Sequence, residues 1–293
     1  MCGILGTVNV SFDNGILDLI AHRGPDDSGI EQFSVGGKDV QFGHRRLSII
    51  DLSMAGHQPM NSPCMDYSII FNGEVYNHLE LRNKLPDNTL FRGHSDTETL
   101  LHYLMKFGVE GLKDFQGIFA IAFLNIKEKK ILLARDPFGV KLLYYLQDNN
   151  KFIFSSEIRP IQALNPAGTL NKEALGTLLR LRFNPSPDTL YGAINKIQPG
   201  HYLEIDLAAQ DLIVSSHSFL DSAPQTATIV SMPEVTQYGQ KLEKAVKSQL
   251  LSDVDLGILL SGGVDSAVIA ALAKRNYSGN LKAFTVGFEG DFS

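Results

Sequence analysis

Cys2 is the first residue in the chain that could do chemistry, and its position matters more than its type. Removal of Met1 would leave a thiol and a free α-amino group on one residue. A free thiol titrates near ~8.5 and a terminal amine near ~7.7–8.0, so at neutral pH the amine is partly unprotonated and can act as base for its own thiol. Gly3, with no side chain, would let a substrate approach the sulfur. The plain alternative is a small apolar residue opening a strand.

Other segments carry chemistry-bearing residues at close spacing. Ala21 to Gly29 (AHRGPDDSG) reads as a charged turn in which Pro25 holds Gly24 extended. Gly43 to Asp51 (GHRRLSIID) sets Arg45 and Arg46 against a short apolar strand. Alternation along that strand points the two arginines in opposite directions. Phe71 to Asn77 (FNGEVYN) ends a strand with Asn72-Gly73, which leaves an amide side chain and an approachable backbone N–H, or else marks an ordinary type I′ turn. Ser95-Asp96-Thr97-Glu98 has the capping-box pattern, followed by Leu100, Leu101, Leu104 and Phe107 at helical spacing. An acid at Asp96 is favoured there by the helix dipole alone. Far downstream, Ser261-Gly262-Gly263-Val264-Asp265-Ser266 lies between a strand and a helix. Its two glycines let successive N–H groups turn inward as an anion nest, and the helix N-terminus adds positive potential. The loop lacks the Gly-Lys-Ser/Thr end of the common P-loop. The eight histidines show no metal-ligand spacing, so no metal ligands are assigned from them.

These residues must be positioned by regular elements. Strands are expected at Ile4–Val10, Tyr67–Phe71, Ile118–Ile126, Ile131–Ala134, Leu142–Leu146 and Phe152–Phe154, joined by short turns that favour antiparallel pairing. Helices are expected at His78–Leu85, after Ser95, and at Lys172–Arg182. The first domain is therefore α+β, with helices covering antiparallel sheets. From Ala208 to Pro233, Ser, Thr, Ala, Gln and Pro dominate, which reads as a linker. An amphipathic helix follows through Val235, Tyr238, Leu242, Ala245, Val246 and Leu250. Strand Leu256–Leu260, helix Ala267–Arg275 and strand Leu281–Phe288 then make one βαβ unit of a parallel sheet.

Composition narrows the class. The chain has 293 residues, 44% of them hydrophobic, and a net charge of −6, which argues against a nucleic-acid coat. Two cysteines, Cys2 and Cys64, are too few for a disulfide scaffold, and Cys64 is expected to be inert. No apolar run reaches the ~18 residues of a membrane span. The first basic residue is Arg23, unlike the charged start of a signal peptide, so a cytoplasmic setting is expected, with no nucleic-acid or membrane partner.

The ordered set Cys2-Gly3-Ile4, HRGPD, RRLSIIDLS with GHQPM, FNGEVYN, SDTE and ARDPFGVK resembles class II glutamine amidotransferases, and the resemblance covers residues 2 to 206. Those are N-terminal-nucleophile hydrolases built as an αββα sandwich. The resemblance implies that the Cys2 thiolate attacks the glutamine side-chain carbonyl, forming a thioester and releasing ammonia. It places Asn72 and Gly73 N–H groups at the oxyanion and Arg46 on the substrate α-carboxylate. Glu74 and Asp96 would accept from the α-amino group, with backbone at Ile49 and Ile50 lining the pocket.

The SGGVDS loop resembles the pyrophosphate loop of ATP pyrophosphatases. That resemblance implies that Ser261, Gly262, Gly263, Asp265 and Ser266 hold pyrophosphate with Mg²⁺, and that Leu259 and Val286 offer backbone contacts to adenine while their side chains join the core. The two resemblances together, with PSPDTLY at 185–191, QPGHY at 198–202 and Ser252-Asp253-Val254, are similar to the glutamine-hydrolysing asparagine synthetase family. In that family ATP activates aspartate as β-aspartyl-AMP, and ammonia passes inside the protein to attack it. Leu142, Val264 and Ala267 depart from the family pattern without touching a proposed catalytic role.

The implied layout is a glutaminase domain at 2–207, a linker at 208–233 and the beginning of an α/β parallel-sheet ATP-pyrophosphatase domain at 234–293. One βαβ unit does not make a stable synthetase domain. The chain is therefore expected to be the N-terminal portion of a longer enzyme, competent on its own for glutamine hydrolysis, with a tail that is partly disordered or packed by a partner. A homodimer is left open. Two other functions stay in view: a related amidotransferase acting on a sugar or peptide carboxylate, and a non-catalytic glutamine sensor. The intact set Cys2, Arg46, Asn72 and Asp96 argues against the sensor.

Overall fold

A computed structural model describes residues 1–166, 168–185, 187–220 and 232–287, with side chains from 236 in the last stretch. The chain divides into two units, Met1–Asp221 and Ser222–Ser293.

The first unit contains two six-stranded antiparallel sheets. Twelve strands, β1 (Gly3–Val8), β2 (Asp27–Val35), β3 (Lys38–Arg46), β4 (Met60–Asn61), β5 (Tyr67–Val75), β6 (Gly117–Asn125), β7 (Lys130–Arg135), β8 (Tyr144–Asp148), β9 (Lys151–Ser155), β10 (Asn195–Lys196), β11 (His201–Asp206) and β12 (Ile213–Ser218), supply them. One sheet has the order β10-β8-β9-β1-β3-β2 and the other β12-β11-β7-β6-β5-β4. Helices α1 (Asn14–Leu17), α2 (His78–Arg82), α3 (Asp96–Phe107), α4 (Ile158–Leu164) and α5 (Lys172–Leu181) complete the unit, with 3₁₀ segments at Asp18–Arg23, Met54–Gly56 and Gly108–Asp114.

Period-two alternation explains the layering. Along β6, Ala120, Ala122 and Leu124 pack between the sheets with Ile4, Phe42, Phe152 and Phe154. Phe119, Ile121 and Phe123 face outward onto Leu100, Leu101, Leu104 and Leu112 of α3 and the turn after it. Across the other sheet, Leu5 and Ile153 meet Leu17, Ile20 and Ile161. Strands buried on both faces read as continuous apolar runs, as β6 does. The result is helix, sheet, sheet, helix, the αββα sandwich that the motifs imply.

Several expected boundaries move. The segment 208–233 does not begin as a linker: β12 pairs with β11 along its whole length, from His201 opposite Ser218 to Asp206 opposite Ile213, so the second sheet extends to Ser218. Its polar composition is that of an edge strand with an exposed face. Residues 221–231 of that segment, Ser186 and Phe288 lie outside the described residues. Helix α6 already begins at Met232 inside the expected linker, and the last strand, expected to run to Phe288, ends at Phe284. The helix at 78 stops at Arg82, and α5 stops at Leu181 on Arg182 in the left-handed region (φ 63°).

The second unit holds helix α6 (Met232–Ser248), helix α7 (Val264–Asn276) and a two-stranded parallel sheet of β13 (Gly257–Leu259) and β14 (Lys282–Phe284). The strand–loop–helix–strand order is the expected βαβ unit. No helix among the described residues is long and apolar enough to cross a membrane.

Candidate active site

Strands β1 and β3 run antiparallel with Gly3 opposite Arg45, which sets Cys2 beside the residues just past β3. Leu47 N lies 3.4 Å from Cys2 Sγ, and the thiol is 3.6 Å from Leu47 O. The HRGPD segment fixes this corner. Arg23 Nε donates to Cys2 O at 2.9 Å and its Nη1 to Glu157 at 3.2 Å. Asp26 N donates to Arg46 O at 3.0 Å, and its carboxylate accepts from Ser48 N at 2.8 Å. Gly3 has a different role from the expected one. A Cβ there would meet Ile20 Cδ1 at 2.9 Å and Arg23 Cδ at 3.3 Å, so its missing side chain admits the neighbouring turn rather than a substrate.

Arg46 and Arg45 separate as alternation requires. Arg45 pairs with Asp18, whereas Arg46 is buried and donates to the carbonyls of Ser53 (3.0 Å), Ile50 (3.4 Å) and Asp51. Those contacts curl residues 47–53 into a loop, and the apolar strand expected there does not form. Ile49 and Ile50 instead wall the cavity.

Strand β5 delivers the next group, and here too the expectation changes. Asn72-Gly73 neither ends the strand nor makes a turn: β5 continues to Val75 with Asn72 opposite Ala120 and Gly73 opposite Phe119. A Cβ on Gly73 would lie 2.1 Å from Ile118 O, so close strand packing alone already demands glycine. Asn72 is fully buried, with Nδ2 3.4 Å from Ser156 Oγ. The preceding residue is held from two sides. Gln58 Oε1 accepts from Phe71 N at 2.7 Å while Gln58 Nε2 donates to Thr97 Oγ1 at 3.2 Å. From the opposite sheet, His44 Nε2 donates to Phe71 O at 3.1 Å; burial holds its imidazole neutral, with a pKa pushed down to about 3.

Asp96 opens α3, but the cap belongs to Ser95, whose Oγ accepts from Glu98 N at 3.2 Å. The Asp96 carboxylate instead bridges to β5, accepting from Val75 N at 3.1 Å and from Thr97 N at 2.8 Å. Burial pushes its pKa up to about 7, with the two amides opposing and Glu74 adding to the rise. Burial also raises Glu74, against the pull of Lys141.

All eight residues expected to handle glutamine, Cys2, Arg46, Ile49, Ile50, Asn72, Gly73, Glu74 and Asp96, line one cavity. Burial raises the Cys2 thiol pKa and lowers that of the Met1 amine, so the two groups move apart in proton affinity. A guanidinium, two carboxylates, a thiol and inward N–H groups complement a zwitterion with an uncharged polar side chain. Sequence reasoning missed Gln58, Thr97 and Lys141, which line the same cavity. The available signals were a polar residue set before Pro59 and a single lysine within the otherwise apolar run 138–146.

In the second unit, the loop after β13 carries Ser261, Gly262 and Gly263, and the first turn of α7, which starts at Val264 rather than at the expected Ala267, carries Asp265 and Ser266. Gly262 has φ +81°, the left-handed conformation that favours glycine. Gly263 is the N-cap and lends no side chain to the first amides of α7. Ser261 Oγ and Ser266 Oγ are 3.0 Å apart. Leu259 and Val286 are not core: among the described residues they are 82% and 83% exposed, Leu259 on a ribbon of two short strands and Val286 just past it.

Comparison with known proteins places these features in a family. Residues 1–217 match the glutamine amidotransferase domain model, and residues 237–293 match the asparagine synthase model. Asparagine synthetase [glutamine-hydrolyzing] 1 of Bacillus subtilis is 34% identical over 300 residues, covering 99% of this chain and 46% of that protein. Amidase chyE of Penicillium rubens is 31% identical over 297 residues, covering 94% of this chain and 42% of that protein. The chain spans 61%, 46% and 41% of three curated relatives it matches. In fold it is similar to the glutamine phosphoribosylpyrophosphate amidotransferase of B. subtilis, with a TM-score of 0.54 at 18% identity over 97% of this chain and 65% of that one. The chain belongs to the glutamine amidotransferase domain family.

Proposed function

We propose that the chain hydrolyses glutamine at Cys2 and that the ammonia serves an ATP-dependent amidation of aspartate to asparagine. The observation that carries the first part is the single cavity holding the thiol, the Asn72-Gly73 N–H groups, Arg46, Glu74 and Asp96. Once Met1 is removed, the α-amine takes the thiol proton and the thiolate attacks the glutamine Cδ. Asn72 Nδ2–H and Gly73 N–H receive the oxyanion, the ammonium returns its proton to the leaving ammonia, and a thioester remains. Water then releases glutamate and restores the thiol. Arg46 holds the substrate carboxylate with N–H groups not committed to the loop, and Glu74 and Asp96 hold its ammonium.

For the second part, the glycine-rich turn and uncapped α7 N-terminus suit a pyrophosphate, and Ser261, Asp265 and Ser266 would hold it and its Mg²⁺. Mg²⁺ would neutralise charge on the phosphates. Leu259 and Val286 would meet adenine through backbone. Residues 2–207 with β12 would form the glutaminase domain and 234–293 the nucleotide-binding part. Free Cys2 and Cys64 suit a reducing cytoplasm.

The test is glutamate release from glutamine by protein whose mass confirms loss of Met1. Turnover should fall by about 10⁴-fold or more in Cys2→Ala. Absence of turnover in the processed protein, or turnover that survives Cys2→Ala, would overturn the reading. The alternative is a related amidotransferase acting on another carboxylate; the chain is also similar to a protein named an amidase, chyE. Aspartate-dependent pyrophosphate release separates the two.

A further inference from the structure

Lys141 has no part in the mechanism above, yet the fold turns it into the cavity that holds the nucleophile. Around it the usual partition is inverted: Phe138 is 87% exposed, Val140 54% and Leu142 40%, whereas Lys141 is 7% exposed. Two buried residues impose this. Asp136 Oδ1 accepts from Phe138 N (3.1 Å) and Val140 N (3.0 Å), and its Oδ2 accepts from Lys141 N (2.9 Å). Arg135 Nε donates to Lys141 O at 2.8 Å, and its Nη2 to Gly139 O at 2.6 Å. The backbone is thus gripped on both sides of Lys141, whose side chain joins Cys2, Glu74 and Asp96 in lining the cavity. A buried ammonium is costly, so a site that holds one has a use for its charge.

The other cations near the sulfur are already engaged. Arg46 donates to three loop carbonyls, and Arg23 to Cys2 O and Glu157. The remaining ionisable groups facing this corner are the α-amine, Glu74, Asp26, Asp96 and Asp136. We propose that Lys141 is a positioning residue whose ammonium poises the nucleophile, favouring the Cys2 thiolate and keeping the adjacent α-amine as free base. The proposal rests on Cys2 being the nucleophile. A positive charge favours the less protonated form of each neighbour, so the lysine stabilises the thiolate and holds the amine unprotonated before it accepts the thiol proton. Burial lowers the proton affinity of Lys141 itself, while Glu74 and Cys2 restore it. The lysine in turn lowers that of the Met1 amine, the terminal amine before processing.

The experiment measures the rate at which iodoacetamide alkylates Cys2 from pH 5 to 10, resolved by peptide mass on the Met1-processed chain. Exposed Cys64 serves as internal reference. In Lys141→Met and Lys141→Gln the Cys2 midpoint should rise by about one pH unit, a roughly tenfold loss of thiolate at pH 7, with Cys64 unmoved. Lys141→Arg should stay near the wild type. A purely structural lysine would change the thermal midpoint and leave the Cys2 profile in place. A wild-type Cys2 profile in either folded neutral variant overturns the proposal. Alkylation needs no turnover, so glutamate release by the wild type decides the glutaminase reading separately.

Discussion

The two units place their functional residues in opposite environments. In the first, Asn72, Arg46 and Asp96 are each at most 5% exposed and lie between strands, a helix start and a loop distant in sequence. In the second, Ser261, Gly262, Gly263 and Asp265 are exposed and fall within five residues spanning one loop and the start of α7. A site assembled from buried side chains acts through desolvation: it raises Asp96 to a pKa of about 7 and neutralises His44. A site made of backbone N–H groups and a helix end needs little tertiary support, because the geometry comes from φ values and the start of α7. The first kind selects for shape and charge together. The second, in the proposed function, would recognise an anion, and further selectivity would come from other contacts.

Three experiments press on that contrast. The largest expected effect is Asn72→Ala, which removes an oxyanion donor and should lower kcat for glutamine by about 10²–10³-fold with a smaller change in KM. ATP binding, measured calorimetrically on the same variant, should be unchanged; a parallel loss there would break the separation of the two sites. Next comes pH. Asp96 must be ionised to accept the substrate ammonium, and its raised pKa leaves it protonated below about 7. kcat/KM for glutamine should therefore fall as pH drops through 7, by up to about tenfold per unit, and a flat profile from pH 5 to 8 would contradict the assigned role. The smallest effect is Gly262→Ala. Forcing an L-residue to φ +81° costs about 1–2 kcal/mol, so ATP affinity should weaken about tenfold while glutamine hydrolysis stays within about twofold. A fall in hydrolysis as large as the fall in affinity would show that the first site depends on the second.

Much of the proposed glutaminase site was legible because its motifs are local. Cys2 is defined by its place in the chain, and Ser95 as helix cap by its spacing to Glu98. The strand pattern of β6 follows from alternating small and large apolar residues. The errors share a cause. Residues 47–50 look like a strand until Arg46 binds the carbonyls of Ile50, Asp51 and Ser53. Asn72-Gly73 looks like a turn until β6 pairs through it. Gly3 looks open until Ile20 fills the space. In each case a partner far away in sequence overrules a local preference. The polar stretch at 213–218 misled for the same reason, since composition does not reveal that β11 offers an unpaired edge.

What the sequence by itself determined was the inventory and its local geometry: a cysteine that can become N-terminal, arginines on opposite faces, an acid at a helix start, and glycines between a strand and a helix. These follow from covalent order and backbone periodicity, which act over a few residues. Only the tertiary structure decided which arginine is buried, why residue 73 must be glycine, that Lys141 turns inward while Phe138 and Val140 face water, and how far Asp96 and His44 depart from ordinary titration. Burial and electric field are sums over every neighbour in space. Those neighbours come from both sheets and from loops tens of residues apart, and no window of sequence contains them.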